Sequence, residues 1–535
     1  MSEPKKKIKV FYPLLFSMFL AIGVFLGFRL RDLQGYKHAF ILSPGRESTI
    51  QEILNLTRMK YVDSVNERAL KNDAVQAILA HLDPHSTYIP PADLAQVNES
   101  LGGSFQGIGV EYIMLKDTIN ITDVIPGGPS ALAGLEIGDK FLKVNDSLVA
   151  GVHITTGRIK DLLRGPKGSK VNISVLRGDK ILPFSITRAL IPLPSIDAAY
   201  MITPDIGYIR INRFAANTYP EFMEAMLKLQ KDGLKKLIVD LRQNSGGYLD
   251  AAVNVADEFL SDNKLIVYTQ GKHYPRTDYT CSKPGVFEKG PLAILVDGGT
   301  ASASEILAGA VQDWDRGTII GRRTFGKGLV QEQYNLDDGG ALRLTVARYY
   351  IPSGRSIQRP YTGNRSAYFD DIIERYVHGE LTHADSIHFE DTVHYYTKIK
   401  HRRVYGGGGI MPDIFVPIDT TRLDTVMLLL YSGSTIFDFA FQYYNQHKDD
   451  FKVYNTAEDF AKNYKVTPEL LHSFQLYAAG RGISNIKHLN AADEREIILR
   501  MKAYLAREIW QLKGYYMVMN RNDNVVEKAL QEMGE

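Results

Sequence analysis

Apolar and polar positions along this chain recur with two different periods, and the changes of period mark its divisions. From about residue 48 to residue 97 the apolar positions fall three or four apart: Ile53, Met59, Val62 and Val65, then Leu70, Ala74, Ile78 and Leu82. That spacing predicts a small helical segment over 48–100. Proline ends it, because Pro84 in Leu82-Asp83-Pro84-His85-Ser86-Thr87-Tyr88 cannot continue a helix and Pro90-Pro91 keep the chain extended. Between Gly102 and Arg188 short β-rich runs at 119–124, 140–144, 171–177 and 182–187 are separated by glycine turns and one helical stretch, 154–163. They predict a small, partly open barrel over 101–189.

After a proline-containing linker at 190–195 the pattern changes to strands alternating with helices, which predicts an α/β layer over 195–418. Strand 206–211 leads to helix 219–229, strand 237–241 to helix 250–260, and strand 292–296 to a helix near 302–314. Beyond about residue 420 the pattern is mostly helical, with Ile498, Met501, Leu505, Ile509 and Leu512 on one face.

At the other end Lys5, Lys6, Lys7 and Lys9 precede an uncharged run, 10–28, after which Arg29, Arg31 and Asp32 resume polar sequence. Nineteen residues at about 1.5 Å each just span a hydrocarbon layer about 30 Å thick. The run ends Phe25-Leu26-Gly27-Phe28-Arg29 without a small-residue cleavage site. The expectation is an uncleaved single-pass anchor in the inner membrane, residues 1–9 in the cytoplasm and the remainder in the periplasm.

Composition changes little: 535 residues imply several domains, and a net charge of +2 gives no reason to expect nucleic acid. The single cysteine, Cys281, excludes an internal disulfide and a multi-cysteine metal site.

Two segments carry candidate chemistry. Gly298-Gly299-Thr300-Ala301-Ser302-Ala303-Ser304-Glu305 follows a buried strand and opens a helix, which would set Ser302 beside free helix amides. A capping box, serine followed three residues later by glutamate, is the competing reading. Thr324-Phe325-Gly326-Lys327-Gly328-Leu329-Val330-Gln331 holds a lysine between glycines in an apolar run. An ordinary lysine is neutral in only about one molecule in two thousand at pH 7, so burial must lower its pKa before it serves as a base. Gln331 could orient the amine. Upstream, Asp240-Leu241-Arg242-Gln243-Asn244-Ser245-Gly246-Gly247 also follows an apolar strand, and the amide of Gly246 or Gly247 would join that of Ala303 in an oxyanion hole. Ser245 has Gln243 where the trypsin-like pattern needs glycine, and is read as a decoy.

Together these segments, from about residue 57 to about 417, resemble the C-terminal processing peptidases, or tail-specific proteases, with features of Bacteroidetes-like members. The resemblance rests on LDPHSTY, GSFQGIGV, DLRQNSGG, TASASEILAGAVQD, TFGKGLVQ, ARYYIPSGRSIQ and GGGGIMPDIFVP in order. It implies an α/β core with ClpP/crotonase-like layers and an inserted PDZ module. It also implies a serine endopeptidase with nucleophile Ser302, base Lys327, 25 residues on, and supporting Gln331. Gly107, Ile108, Gly109 and Val110 would receive the terminal carboxylate of a substrate tail, and Arg164 would couple tail binding to activation. No metal or organic cofactor is implied. Partners would be envelope proteins with exposed C-terminal tails, and self-association or an adaptor protein stays open.

The chain departs from the pattern at Asp297-Gly298-Gly299-Thr300, which replaces asparagine-x-glycine-serine, in a segment 364–405 that reads as an insertion, and in the extension 420–535. His378, His383, His388, His394 and His401 crowd the insertion, but their gaps of five to seven do not suit a helical zinc pair, and a polar surface loop is expected. Two alternatives remain: an idle tail-binding scaffold, and a Ser/His enzyme with His85 as base.

Overall fold

The structure is a computed structural model that describes residues 16–20, 23, 48–361, 365–388, 393–419, 425–483, 486 and 489–534. Most of the 10–28 run lies outside the described residues. Among those described, no helix is long and apolar enough to cross a membrane.

The chain divides into two compact units, 1–75 and 76–535. In the first, Ser48 caps helix Thr49–Lys60, whose Ile50, Ile53, Leu56 and Met59 are all exposed.

In the second, a six-stranded sheet forms the centre, in the order Ile196–Met201, Ile206–Ile211, Lys236–Asp240, Leu292–Val296, Thr318–Gly321 and Ile414–Phe415. The first pair is antiparallel and the others are parallel. Both faces are covered, which is why these strands read as continuous apolar runs rather than as alternation. Ile209, Ile211, Leu237, Val239, Leu292, Ile294 and Val296 face one side, against helices Thr218–Lys231, Leu249–Asp257 and Ala303–Asp313. The intervening Tyr208, Ile238, Ala293, Leu295 and Ile320 face the other.

That second face is covered by part of the C-terminal extension. Helix Asn524–Glu532 packs Val525, Val526 and Ala529, with Met533, onto it. Each large apolar side chain buried in this way contributes about 1.5–3 kcal/mol. Asp523 caps this helix, accepting from the amides of Val525 (2.9 Å) and Val526 (3.0 Å), and its carboxylate also pairs with Arg242. The rest of the extension has its own core. Its long helix, Ala491–Met519, breaks at Trp510 and Gln511, where the backbone leaves helical geometry, so the stripe running from Ile498 to Leu512 is not continuous.

A second sheet carries Thr87–Ile89, Ala341–Tyr350, Leu265–Gln270 and Thr277–Thr280, with Leu329–Asn335 also paired to Ala341–Tyr350. The barrel expected over 101–189 is a five-stranded sheet from Val110–Leu115 to Lys180–Thr187, plus the short Ser147–Leu148, with helix Thr156–Leu163. Val110–Leu115 is an edge strand. Half of the stretch expected as a linker is strand instead: Ala189–Pro192 pairs antiparallel with Ser104–Gly107, closing the neck of the module by backbone hydrogen bonds.

The insertion also differs from expectation. Instead of a polar surface loop it opens with helix Arg365–Val377 and closes with a hairpin, Tyr395–Tyr396 against Arg403–Val404. Tyr368 and Arg375, seven apart on one face, are buried, which fixes this helix to the core.

Candidate active site

Three loops at the ends of central strands meet in one cleft of about 1220 Å³, lined by Ser302, Ala303, Lys327, Gln331, Gly246, Gly247 and His85 among others. Ser302 stands between strand and helix at φ 54°, ψ −117°, a conformation that a residue with a side chain adopts only under constraint. The constraint comes from the Gly246 turn, where a Cβ would lie 2.7 Å from the carbonyl oxygen of Ala301 and 2.8 Å from the Cβ of Ser302. Only glycine permits that approach.

Asn244 holds the turn by donating to the carbonyl of Ile211 (2.9 Å), and its own carbonyl accepts from the amide of Ala301 (3.0 Å). The Gly246 N–H donates to Asn244 Oδ1 (2.9 Å), so it is already engaged. Gly247 follows at φ +146°, and a Cβ there would fall 1.9 Å from the Phe214 carbonyl oxygen.

Asp297, where the family pattern has asparagine, accepts from the amides of Gln243 (3.0 Å) and Gly299 (2.9 Å) and from the side chain of Gln243 (2.6 Å). Its carboxylate therefore joins the two turns.

Lys327 is partly buried. Removal from water, helped by the Arg343 charge, lowers its pKa to about 8. Its Nζ donates to Gln331 Oε1 at 3.0 Å. Gln331 Nε2 donates in turn to the carbonyl of His85 at 2.8 Å, which fixes the amide so that its oxygen faces the lysine.

His85 itself has its ring nitrogen Nε2 on the Tyr368 hydroxyl (2.9 Å), and burial, then the Lys327 charge, lowers its pKa to about 4. The imidazole is held by Tyr368, and His85 serves the cleft through its backbone carbonyl.

Two residues that sequence reading did not assign hold the constellation together. Glu305, read only as half of a capping box, is fully buried and accepts four hydrogen bonds: from Ser302 N–H (2.8 Å), Gly326 N–H (2.8 Å), Lys327 N–H (2.9 Å) and the Thr324 hydroxyl (2.5 Å). Burial pushes its carboxyl above the ordinary range while these donors pull it back. Tyr349, also buried, brings its hydroxyl to the carbonyls of both Ser302 (3.1 Å) and Lys327. The one signal for Glu305 was its place three residues after Ser302, and Tyr349 lies too far along the chain for any local pattern to reveal it. Ser245 is exposed at the rim of the same cleft.

In the smaller module, Gly109 takes a positive φ of +76°, and the Ile108 carbonyl is held by the Ser130 amide (3.1 Å) and hydroxyl (2.7 Å). The loop from Gly107 to Val110 leads directly into the edge strand. Arg164 ends helix Thr156–Leu163 and pairs with Glu99 at 2.5 Å, on helix Pro91–Gly102. Asn98, Ser100 and Leu101 of that helix line the cleft. Among the described residues, no group of three or more His, Cys, Asp or Glu side chains is arranged to hold a metal ion.

Comparison with known proteins matches residues 205–363 to Peptidase family S41, 121–177 to the PDZ domain and 427–511 to a family of unknown function, DUF8443. A carboxy-terminal-processing protease of Bartonella bacilliformis is 37% identical over 313 residues, 57% of this chain and 71% of its own length. A carboxyl-terminal-processing protease of Synechocystis sp. is 32% identical over 379 residues, 66% and 86% of the two chains. Among solved structures, the photosystem II D1 C-terminal processing protease is 33% identical over 57% of this chain and 83% of that one, with a TM-score of 0.34.

Proposed function

This chain belongs to the carboxy-terminal-processing proteases, a family of serine-type peptidases with a PDZ domain, and on that premise we propose that Ser302 and Lys327 form its catalytic dyad. The observation that carries this reading is the partly buried amine of Lys327, held by Gln331 in the cleft that Ser302 lines and brought down to a pKa of about 8. Neutral Lys327 takes the proton of Ser302 Oγ as that oxygen attacks the scissile carbonyl. The developing oxyanion is held by the N–H groups of Ala303 and Gly247, since that of Gly246 is spent on Asn244. Lys327 returns the proton to the leaving amine, and then activates water to release the acyl group from Ser302.

The core layers of this reading are those of the ClpP/crotonase type. Substrates are proteins of the cell envelope whose C-terminal tails add to edge strand Val110–Leu115, with the terminal carboxylate on the loop from Gly107 to Val110. Arg164 transmits occupancy through Glu99 to the helix that lines the cleft. The uncharged run 10–28 behind its lysines supports an inner-membrane anchor that leaves the peptidase in the periplasm.

The test is cleavage of an unfolded reporter with an apolar C-terminal tail by the protein and by its Ser302→Ala and Lys327→Ala variants. Cleavage by the unmodified protein alone is expected; cleavage by either variant at an undiminished rate removes the dyad.

A further inference from the structure

The insertion does more than decorate the core. Its helix, Arg365–Val377, is fastened to the loop that carries Lys327. Arg375 donates to the carbonyls of Thr324 (2.9 Å) and Phe325 (3.2 Å) and pairs with Asp371 (2.6 Å). The Arg359 guanidinium lies 4.0 Å from the ring centre of Phe325 and 3.9 Å from that of Tyr368. Glu380, just beyond the helix, takes both arms of Arg323 at 2.6 Å.

With one face so fixed, the helix turns Phe369 and Ile372, three residues apart, into the cleft. Both are apolar and nearly half exposed, at 49% and 44%. Leu381 and Ile418, joined by a backbone hydrogen bond of 2.9 Å, continue the same lining. This wall runs close to both halves of the dyad. A Cβ on Gly298, four residues before Ser302, would lie 2.8 Å from Ile372 Cδ1. On the other side the Phe369 ring is 6.1 Å from that of His85, and His85 is 6.3 Å from Phe325, two residues before Lys327.

We propose that the insertion helix forms an apolar specificity wall: Phe369 and Ile372 select substrates with a bulky aliphatic or aromatic residue beside the scissile bond. The inference rests on the reading of the cleft as the site of cleavage. A rigid wall of half-exposed apolar side chains gains by covering them with a matching substrate side chain, and it rejects a charged one, which would lose its water without finding a partner.

The experiment is cut-site profiling of a peptide pool with free C-termini, followed by kcat/KM for paired peptides bearing Leu or Lys at the preferred position. The unmodified enzyme should favour Leu by at least about tenfold. Ile372→Glu should lower that Leu/Lys ratio about tenfold or more, and Ile372→Ala and Phe369→Ala by less. Because the ratio is taken within one preparation, partial unfolding does not distort it. An unmodified enzyme with no apolar preference beside the cut, or an Ile372→Glu enzyme with an unchanged ratio, overturns the proposal. Ser302→Ala in the same assay keeps the two readings separate, since cleavage surviving in that variant removes the dyad whatever the ratios show.

Discussion

At the scale of single residues, Lys327 of the proposed dyad is the point where chemistry and stability pull in opposite directions. A base acts when neutral, so kcat/KM should rise with pH through about 8, the value to which burial brings Lys327. Arg343 is the second cause of that depression, so Arg343→Gln should move the midpoint upward; a pH–rate profile of each enzyme reads this directly. The same shift costs stability. Because the folded pKa lies below the ordinary 10.5, the penalty is full below pH 8 and fades as pH rises toward 10.5. Lys327→Met should therefore be inactive yet more stable at pH 7, by on the order of 2–3 kcal/mol, with the gain shrinking toward pH 10 in thermal melts. The proposed dyad of Ser302 and Lys327, with Gln331, could be picked out in the sequence because each sits in a short run whose glycines announce unusual backbone geometry, and all three line one cleft. Glu305 was legible only as a cap. Its three other donors come from residues 324–327, and no local pattern records a contact across that distance.

At the scale of elements, strands 206–211 and 292–296 were readable to the residue, because burial on both faces makes them continuous apolar runs. What covers the second face was not readable. Helix Asn524–Glu532 reads as an ordinary amphipathic helix, and nothing in its pattern says that its apolar side belongs to strands roughly 200 to 300 residues earlier. Its position makes a sharp prediction. Val526, with no exposure, is pressed onto the sheet, so Val526→Asp buries a charge without a partner and should cost roughly 3 kcal/mol or more. Asp523→Ala removes both the cap and the carboxylate facing Arg242, which leads into the Gly246 turn, and should cost about 2 kcal/mol in denaturant melts. The insertion misled for a related reason: its scattered histidines suggested a polar surface loop, whereas Arg375 and Glu380 are buried in ion pairs with Asp371 and Arg323.

At the scale of the whole molecule, the PDZ module meets the rest of the chain in two places. Arg164 pairs with Glu99, and the C-terminal extension makes a second contact, where Arg507 pairs with Glu111 (2.7 Å) and Lys448 donates to the Ile137 carbonyl (3.0 Å). Glu508 is buried in that second contact, facing Asp123 and Glu111 as well as Arg507 and Lys448, and burial with the two carboxylates pushes its pKa up to about 8. An acid with a raised pKa stabilises the fold fully below about pH 4.5 and loses that contribution as pH rises through 8. Glu508→Gln should therefore abolish a decline in stability on the order of 3 kcal/mol between pH 5 and pH 9, as followed by melting temperature. A parallel slope in protein and variant would remove Glu508 as its cause. The order in which the covered sheet is made has a further consequence. Five of its six strands have been synthesised by Gly321, whereas the helix that closes over them begins at Asn524, roughly 200 residues later. At about 5–20 residues per second, the ribosome leaves a face of Tyr208, Ile238 and Leu295 bare for tens of seconds, long enough for a chaperone to be needed there and for neighbouring nascent chains to pair through it.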